Sequence, residues 1–456
     1  MAHLQLRVFG PPRLHRNRQP IELNLRKALA LLEALPDSAE RTQQELELQL
    51  ALGPALVAAR GYAVPEVMRA YSRARELIPH AERSTELFRV LFGLWGFYLV
   101  RAEHQTAHEL AEQALSLAQW LQNPALTLEA HRAIGMTLFH MGEFAGARGH
   151  LEQGSGLYDP QQHGSLALLF VADPGVTCLS YLARTLWHLG YPDQALKKGY
   201  EALELAQSLA HPFSLAAAHV YTARVHQCRR EAHTTQEHAE AAIALSTEHH
   251  FPHYIAMGTI LQGWAIAHQG NVTEGIERMQ QGLTAGRHTQ IEIARTHFLA
   301  MLVERYVAAG QAGEGQSVLD EALASADRSQ ELQWTADLHR LKGELLLAST
   351  SEASVVRAAG GLADAEAAPE EHFRQAIDIA RRQGSKALEL RAAVSLGRLW
   401  REQGRAAEAR QMLSELYGWF TEGFDTADLK EAKALLEDLG GAAIPHEPCS
   451  RACRTR

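Results

Sequence analysis

Residues 176–212 read VTCLSYLARTLWHLGYPDQALKKGYEALELAQSLAHP. Leu179, Leu182, Ala183 and Leu186 fall at helical spacing, so the first half reads as an amphipathic helix. Gly190 supplies the left-handed backbone that ends a helix at little cost. Pro192 and Asp193 open a second helix, because proline and an acidic side chain both suit a first turn. His211-Pro212 stops it, since proline pushes the preceding residue out of the helical region. The stretch is two helices joined by a tight turn.

The same unit recurs every forty residues. Ala74, Ala114 and Gly154 mark one track; after eight extra residues it resumes at Ala202, Ala242, Gly282 and Ala322, and after fourteen more at Ala376 and Leu416. A second track runs through Ala55, Trp95, Gly135, Ala183, Ala223, Gly263, Val303, Gly343 and Gly397. Small residues on both helices let two backbones cross closely, and large neighbours such as Leu115, Leu203, Ile243 and Leu283 fill the remaining space. Further turn glycines stand at Gly142, Gly270, Gly310 and Gly404. A sustained period of this length predicts an all-α superhelical solenoid of about nine helix pairs.

Phrases such as RAIGMTLFHMGEFAGARGHLEQG (132–154) and residues 180–203 place large residue, Leu, small residue and aromatic as the tetratricopeptide repeat does, and the chain resembles that repeat. The period is longer, and in this it resembles MalT-like tetratricopeptide regions. More specifically, LPDSAERTQQELELQLALGPAL, GLWGFYLVRAEHQTAHELAEQAL, YDPQQHGSLALLF and HFRQAIDIARRQGSKALELRAAVSLGRLWREQGR resemble the repeat region of bacterial ATPase/nucleotide-cyclase fusions and related transcriptional activators. The resemblance implies a sensor or scaffold arm without the motor.

Residues 1–32 differ in kind. LQLRVF (4–9) and PIELNL (20–25) alternate as strands, and LRKALALL (25–32) begins a helix. This resembles a truncated start of the winged-helix domain of antibiotic-regulatory-type activators. It implies an alternative function, a DNA-binding transcriptional regulator. The recognition helix and wing of that family do not follow. The expected organisation is a winged-helix-like β piece at 1–32, repeats at 36–349, an inserted flexible loop at 350–368, the last repeats and a capping helix at 369–440, and a disordered basic tail at 441–456. Residues 159–175 form another insertion, the first in chain order.

The chain has 456 residues and a net charge of −9. Residues 1–32 carry +5 and residues 441–456 carry +2, leaving −16 on the repeats. An acidic middle argues against phosphate-backbone binding there. No apolar run is long enough for a membrane span. Four cysteines make no disulfide framework at this length, so a reducing cytoplasm is expected. There is no Gly-Lys dipeptide and hence no phosphate-binding loop, and no GxSxG, HExxH or dinucleotide fingerprint. The chain is expected to be no enzyme and to hold no cofactor or metal. His249, His250 and His253 read as a helix end rather than metal ligands, His104 and His108 as a solvated face, and His446, Cys449 and Cys453 as part of the tail. His131, His219 and His339 recur at one repeat position.

The expected function is a protein-protein interaction module of bacterial signalling or transcription control. Arg132, Arg184, Trp187, Arg224, Trp264 and Arg398 fall on first-helix faces that line the concave groove in tetratricopeptide folds. These residue types are favoured anchors and suit an acidic or aromatic peptide, although they would serve equally for packing within the solenoid. Neither the partner nor the oligomeric state can be read from the sequence.

Overall fold

The computed structural model describes residues 36–79, 83–288, 291–354 and 362–440, together with 5–7, 13–16, 19–22, 29 and 32. Among them, nine helix pairs follow one another. They are α1 (Ala39–Arg60) with α2 (Pro65–Leu77), α3 (Thr85–Val100) with α4 (His104–Trp120), and α5 (Pro124–His140) with α6 (Phe144–Leu157). Two short helices, α7 (Pro160–His163) and α8 (Leu166–Phe170), occupy the first insertion. Then come α9 (Pro174–His188) with α10 (Pro192–Leu209), α11 (Pro212–Cys228) with α12 (Ala232–His249), and α13 (Pro252–His268) with α14 (Val272–His288). The last pairs are α15 (Arg295–Ala308) with α16 (Ala312–Ser329), α17 (Thr335–Ser354) with α18 (Leu362–Gln383), and α19 (Lys386–Glu402) with α20 (Ala406–Tyr417). Helix α21 (Ala427–Gly440) follows. The architecture is the all-α, tetratricopeptide-like solenoid that the period predicts.

Three short strands, Gln5–Arg7, Arg13–Arg16 and Gln19–Glu22, pair antiparallel in that order. The winged-helix-like reading of 1–32 otherwise lies outside the described residues. So do the tail at 441–456, with His446, Cys449 and Cys453, and residues 355–361 of the second insertion.

The local causes are those of helix termini. Proline opens α2, α5, α9, α10, α11 and α13. Asn123 and Asp173 cap the free amides of α5 and α9 with their side chains. At Gly190 the chain turns with φ +90°, where an L side chain would be strained. The small-residue tracks sit at the crossings. A Cβ on Gly263 would stand 2.7 Å from both the Gly275 carbonyl oxygen and the Met279 amide nitrogen, so α13 and α14 pack backbone to backbone there.

The period did not disclose how far the superhelix winds. The C-terminal ends of early first helices meet the approaches to late ones. The Val100 carbonyl accepts from the Glu292 and Ile293 amides at 2.8 and 3.0 Å, and the His140 carbonyl from the Leu332 and Gln333 amides at 2.9 and 3.3 Å. His188 Nδ1 lies 3.3 Å from the Ser385 hydroxyl, and Arg391 donates to the Cys228 carbonyl at 2.7 Å. Pair two thus meets the start of pair seven, three meets eight, and four meets nine. The end of α11, the first helix of pair five, meets Arg391 of α19, while Arg230, just beyond it, pairs with Asp428 and Glu431 of α21. One superhelical turn takes five pairs, and its two edges are hydrogen-bonded along a seam.

Candidate functional site

Because the seam closes, the inner faces of the first helices look into the molecule. Five of the six groove candidates are buried: Arg132, Arg184, Trp187, Arg224 and Trp264. Arg398 is exposed and ion-pairs with Glu431 at 3.2 Å. Arg132 pairs at 2.6 Å with Glu129, itself fully buried; burial pushes the Glu129 carboxyl up to about 7 against the pull of Arg132. Trp264 stacks on His268 with ring centroids 4.8 Å apart.

Trp187 belongs to a ladder across the seam. The Arg391 guanidinium lies over its ring at 4.9 Å, and Trp334 stacks on it at 5.7 Å. His297 stacks on the other side of this group, parallel to Trp334 at 4.0 Å. Arg224 then donates to His297 Nδ1 at 2.7 Å, leaving the His297 Nε2 proton for Gln227 Oε1 at 3.1 Å. Burial, and then the charge of Arg224, hold His297 well below the usual histidine range, which agrees with a neutral ring.

A second cluster ties the seam at its middle. Glu331, from the loop before α17, accepts from the Ala294 amide at 2.5 Å and from the Thr296 amide and hydroxyl at 3.1 and 2.8 Å. His140 Nδ1 faces the same carboxylate at 3.1 Å, and its Nε2 meets the Tyr181 hydroxyl at 3.2 Å. Burial, then Arg184 and Arg224, push the His140 pKa well down, so the ring is neutral: Nδ1–H donates to Glu331 and Nε2 accepts from Tyr181. His104 stacks parallel to His140 with centroids 5.4 Å apart.

The solvated-face reading of His104 is therefore corrected. It is buried at the start of α4, with neither ring nitrogen hydrogen-bonded, and burial lowers its pKa to about 3. Helical spacing from His108 hid this, because the face was covered by a neighbouring pair. His104, His140 and Glu331 are the described residues whose ligand atoms gather, within 4.8 Å. The two rings are parallel, however, so their in-plane lone pairs do not converge on one point.

Behind these groups lies a cavity of about 60 Å³, lined by Arg224, Tyr62, Tyr181, Tyr221, His253 and Tyr254 among others. Arg184 stands beside it, its guanidinium 4.1, 4.9 and 5.6 Å from the rings of Phe139, Tyr181 and Tyr221. Of the cluster at 249–253, His250 is the left-handed cap of α12 and His253 faces the cavity, with its pKa held down to about 4 by burial.

The recurring histidines each have a partner on the second helix of the same pair. His131 meets His150 at 3.0 Å and His219 meets His238 at 3.1 Å, ring nitrogen to ring nitrogen, and His339 lies over His372 at 5.9 Å between centroids. The first two partners stand nineteen residues on, and the third is displaced by the fourteen-residue insertion. That signal was present in the sequence.

No protein-family model matches the chain, and no curated protein matches it. Among solved structures it is similar to a Rap protein complexed with competence and sporulation factor, at 13% identity over 79% of this chain and 91% of that one, with a TM-score of 0.57. It is also similar to NprR in complex with its cognate peptide NprX, at 13% identity over 87% of this chain and 99% of that one, with a TM-score of 0.50. At these identities the likeness establishes a shared helical-repeat fold. No helix among the described residues is long and apolar enough to cross a membrane.

Proposed function

We propose that the chain is a non-catalytic regulatory module that docks a peptide, or a peptide-like segment of a partner protein, against the inner faces of its first helices. The observation that carries this reading is the make-up of the interior. Arg132, Arg184, Arg224, Tyr181, Tyr221 and Tyr254 converge from four first helices on one cavity and its wall. Arginine and tyrosine are the residue types that anchor partners in desolvated pockets. Two proteins sharing the fold, the Rap protein and NprR, were solved with a competence and sporulation factor and with a cognate peptide. The setting we propose is bacterial signalling or transcription control in the cytoplasm, with which the buried free thiols of Cys178 and Cys228 agree.

The test is selection of a random linear-peptide library on the full chain, followed by hydrogen exchange of the complex. Docking on the inner faces slows exchange in α5, α9 and α11. Selected peptides that protect only α6, α10 and α12 would refute the assignment, as would a library that yields no binder.

A further inference from the structure

We infer that the interior contains an anion site between Arg184 and Arg224, and that the group it takes is a carboxylate. This rests on the docking reading above and deepens it by naming the chemistry of the ligand.

Seven arginines are buried among the described residues: Arg132, Arg184, Arg224, Arg229, Arg305, Arg340 and Arg391. Five of them ion-pair with a carboxylate. Arg184 and Arg224 do not. Both terminal nitrogens of Arg184 are buried with no hydrogen-bond partner, and so is Nε of Arg224. Burying a guanidinium is costly unless an anion or a full set of acceptors replaces its water. Here the replacements are aromatic faces and one histidine nitrogen. Glu331, the buried carboxylate that faces His140, already commits both oxygens to His140, Ala294, Gln333 and Thr296.

The two cations also feel each other. Burial first, and then the charge of Arg184, push the Arg224 pKa down to about 9. The same pair depresses His140, His188 and His297 after burial has done so. Positive potential thus surrounds Arg184 and Arg224, neither of which ion-pairs with a carboxylate among the described residues. Tyr62, Tyr221 and Tyr254 line the cavity, and burial raises their pKa values, so their hydroxyls stay protonated. A cavity of about 60 Å³ has room for a carboxylate on a short stem. Guanidinium and hydroxyl donors around such a group form charge-assisted hydrogen bonds.

The experiment uses the full chain at constant ionic strength. Acetate is compared with acetamide, its neutral isostere, and with inorganic phosphate, by thermal midpoint and by broadening of the ligand NMR signal. Acetate should raise the midpoint and broaden, and acetamide should do neither. Arg184→Met and Arg224→Met should each weaken acetate by about tenfold or more while the unliganded protein stays folded, because the substitution removes an unpaired buried charge. Equal responses to acetate and acetamide would overturn the site. So would full acetate binding by Arg184→Met, or a response to phosphate stronger than to acetate. If peptides bind and acetate does not, the anion site falls and the docking reading stands. If acetate binds and the peptide library yields nothing, the docking reading falls and the carboxylate site stands by itself.

Discussion

Glu331→Gln tests the carboxylate that joins the seam to the packing of two neighbouring late pairs. Glu331 reaches the His140 ring across the seam, and on its own side of the seam it holds the Ala294 and Thr296 amides and the Thr296 hydroxyl of the preceding pair and the Gln333 side-chain amide. Glutamine keeps the shape but turns one oxygen into an NH2 group. If that group faces Ala294 and His140, those two donors and the Gln333 side-chain amide lose their acceptor. If it faces Thr296, the hydroxyl can rotate and accept, but the Thr296 amide cannot. The cheaper arrangement leaves one buried amide unsatisfied, at about 1–3 kcal/mol. Loss of charge weakens the surviving bonds to His140 and Ala294, adding about 1 kcal/mol. The sum is about 3 kcal/mol of local stability. Hydrogen exchange reads it directly, since a loss of that size speeds exchange by about a hundredfold where opening of the seam is the route. The affected amides are Ala294, Thr296, Leu332 and Gln333, while those in the middle of α13 keep their rates. Acceleration below about fivefold at Ala294 and Thr296, or equal acceleration in α13, would refute the reasoning.

Gly263→Ala places a methyl 2.7 Å from the backbone of α14, and should destabilise by about 2 kcal/mol net of the helix propensity it gains. Gly149→Ala on α6, where a Cβ meets nothing within 4 Å, should instead stabilise by about 1 kcal/mol; both are read by urea denaturation. Acid should weaken the fold. His104 has a folded pKa lowered to about 3 by burial, so its contribution is complete above the unfolded value near 6.5 and is lost as pH falls from there toward 3. Between pH 6 and 4.5, His104→Leu should therefore show a stability slope shallower by about 1.4 kcal/mol per pH unit, and an unchanged slope would show that His104 is solvated.

The repeats were legible because each one is local. Gly190, Pro192 and the tracks through Ala183 and Ala202 act within forty residues, and residue type alone states their role. The seam was not legible for two reasons. Its pitch is the sum of small rotations between neighbouring pairs, and no single residue encodes a sum. Its central contacts are made by the carbonyls of Val100 and His140 and by loop amides, atoms that every residue carries. The first-helix candidates were therefore read as groove residues, but the sequence did not say that five of the six would be enclosed. Arg398, on α19 of the last pair, stays exposed and ion-pairs with Glu431 of α21. His104 was misread for the complementary reason, since α4 alone shows no cause for a histidine to leave solvent.

Enclosure changes what docking requires. In an open groove a ligand competes only with water. Here it competes with the closing contacts themselves, the Trp187–Trp334–His297 stack and the Glu331 network. The two unpaired guanidiniums act in the opposite sense. In the closed arrangement Arg184 and Arg224 are buried without a carboxylate partner, so they penalise it relative to any state in which water reaches them. An anion held between them cancels that penalty and binds the closed state in preference, which shifts the population toward closure. A ligand with equal affinity for both states would shift nothing. On this argument the proposed docking would act through the order of the seam, and the side chains that carry it are the two buried arginines without a carboxylate partner among the described residues.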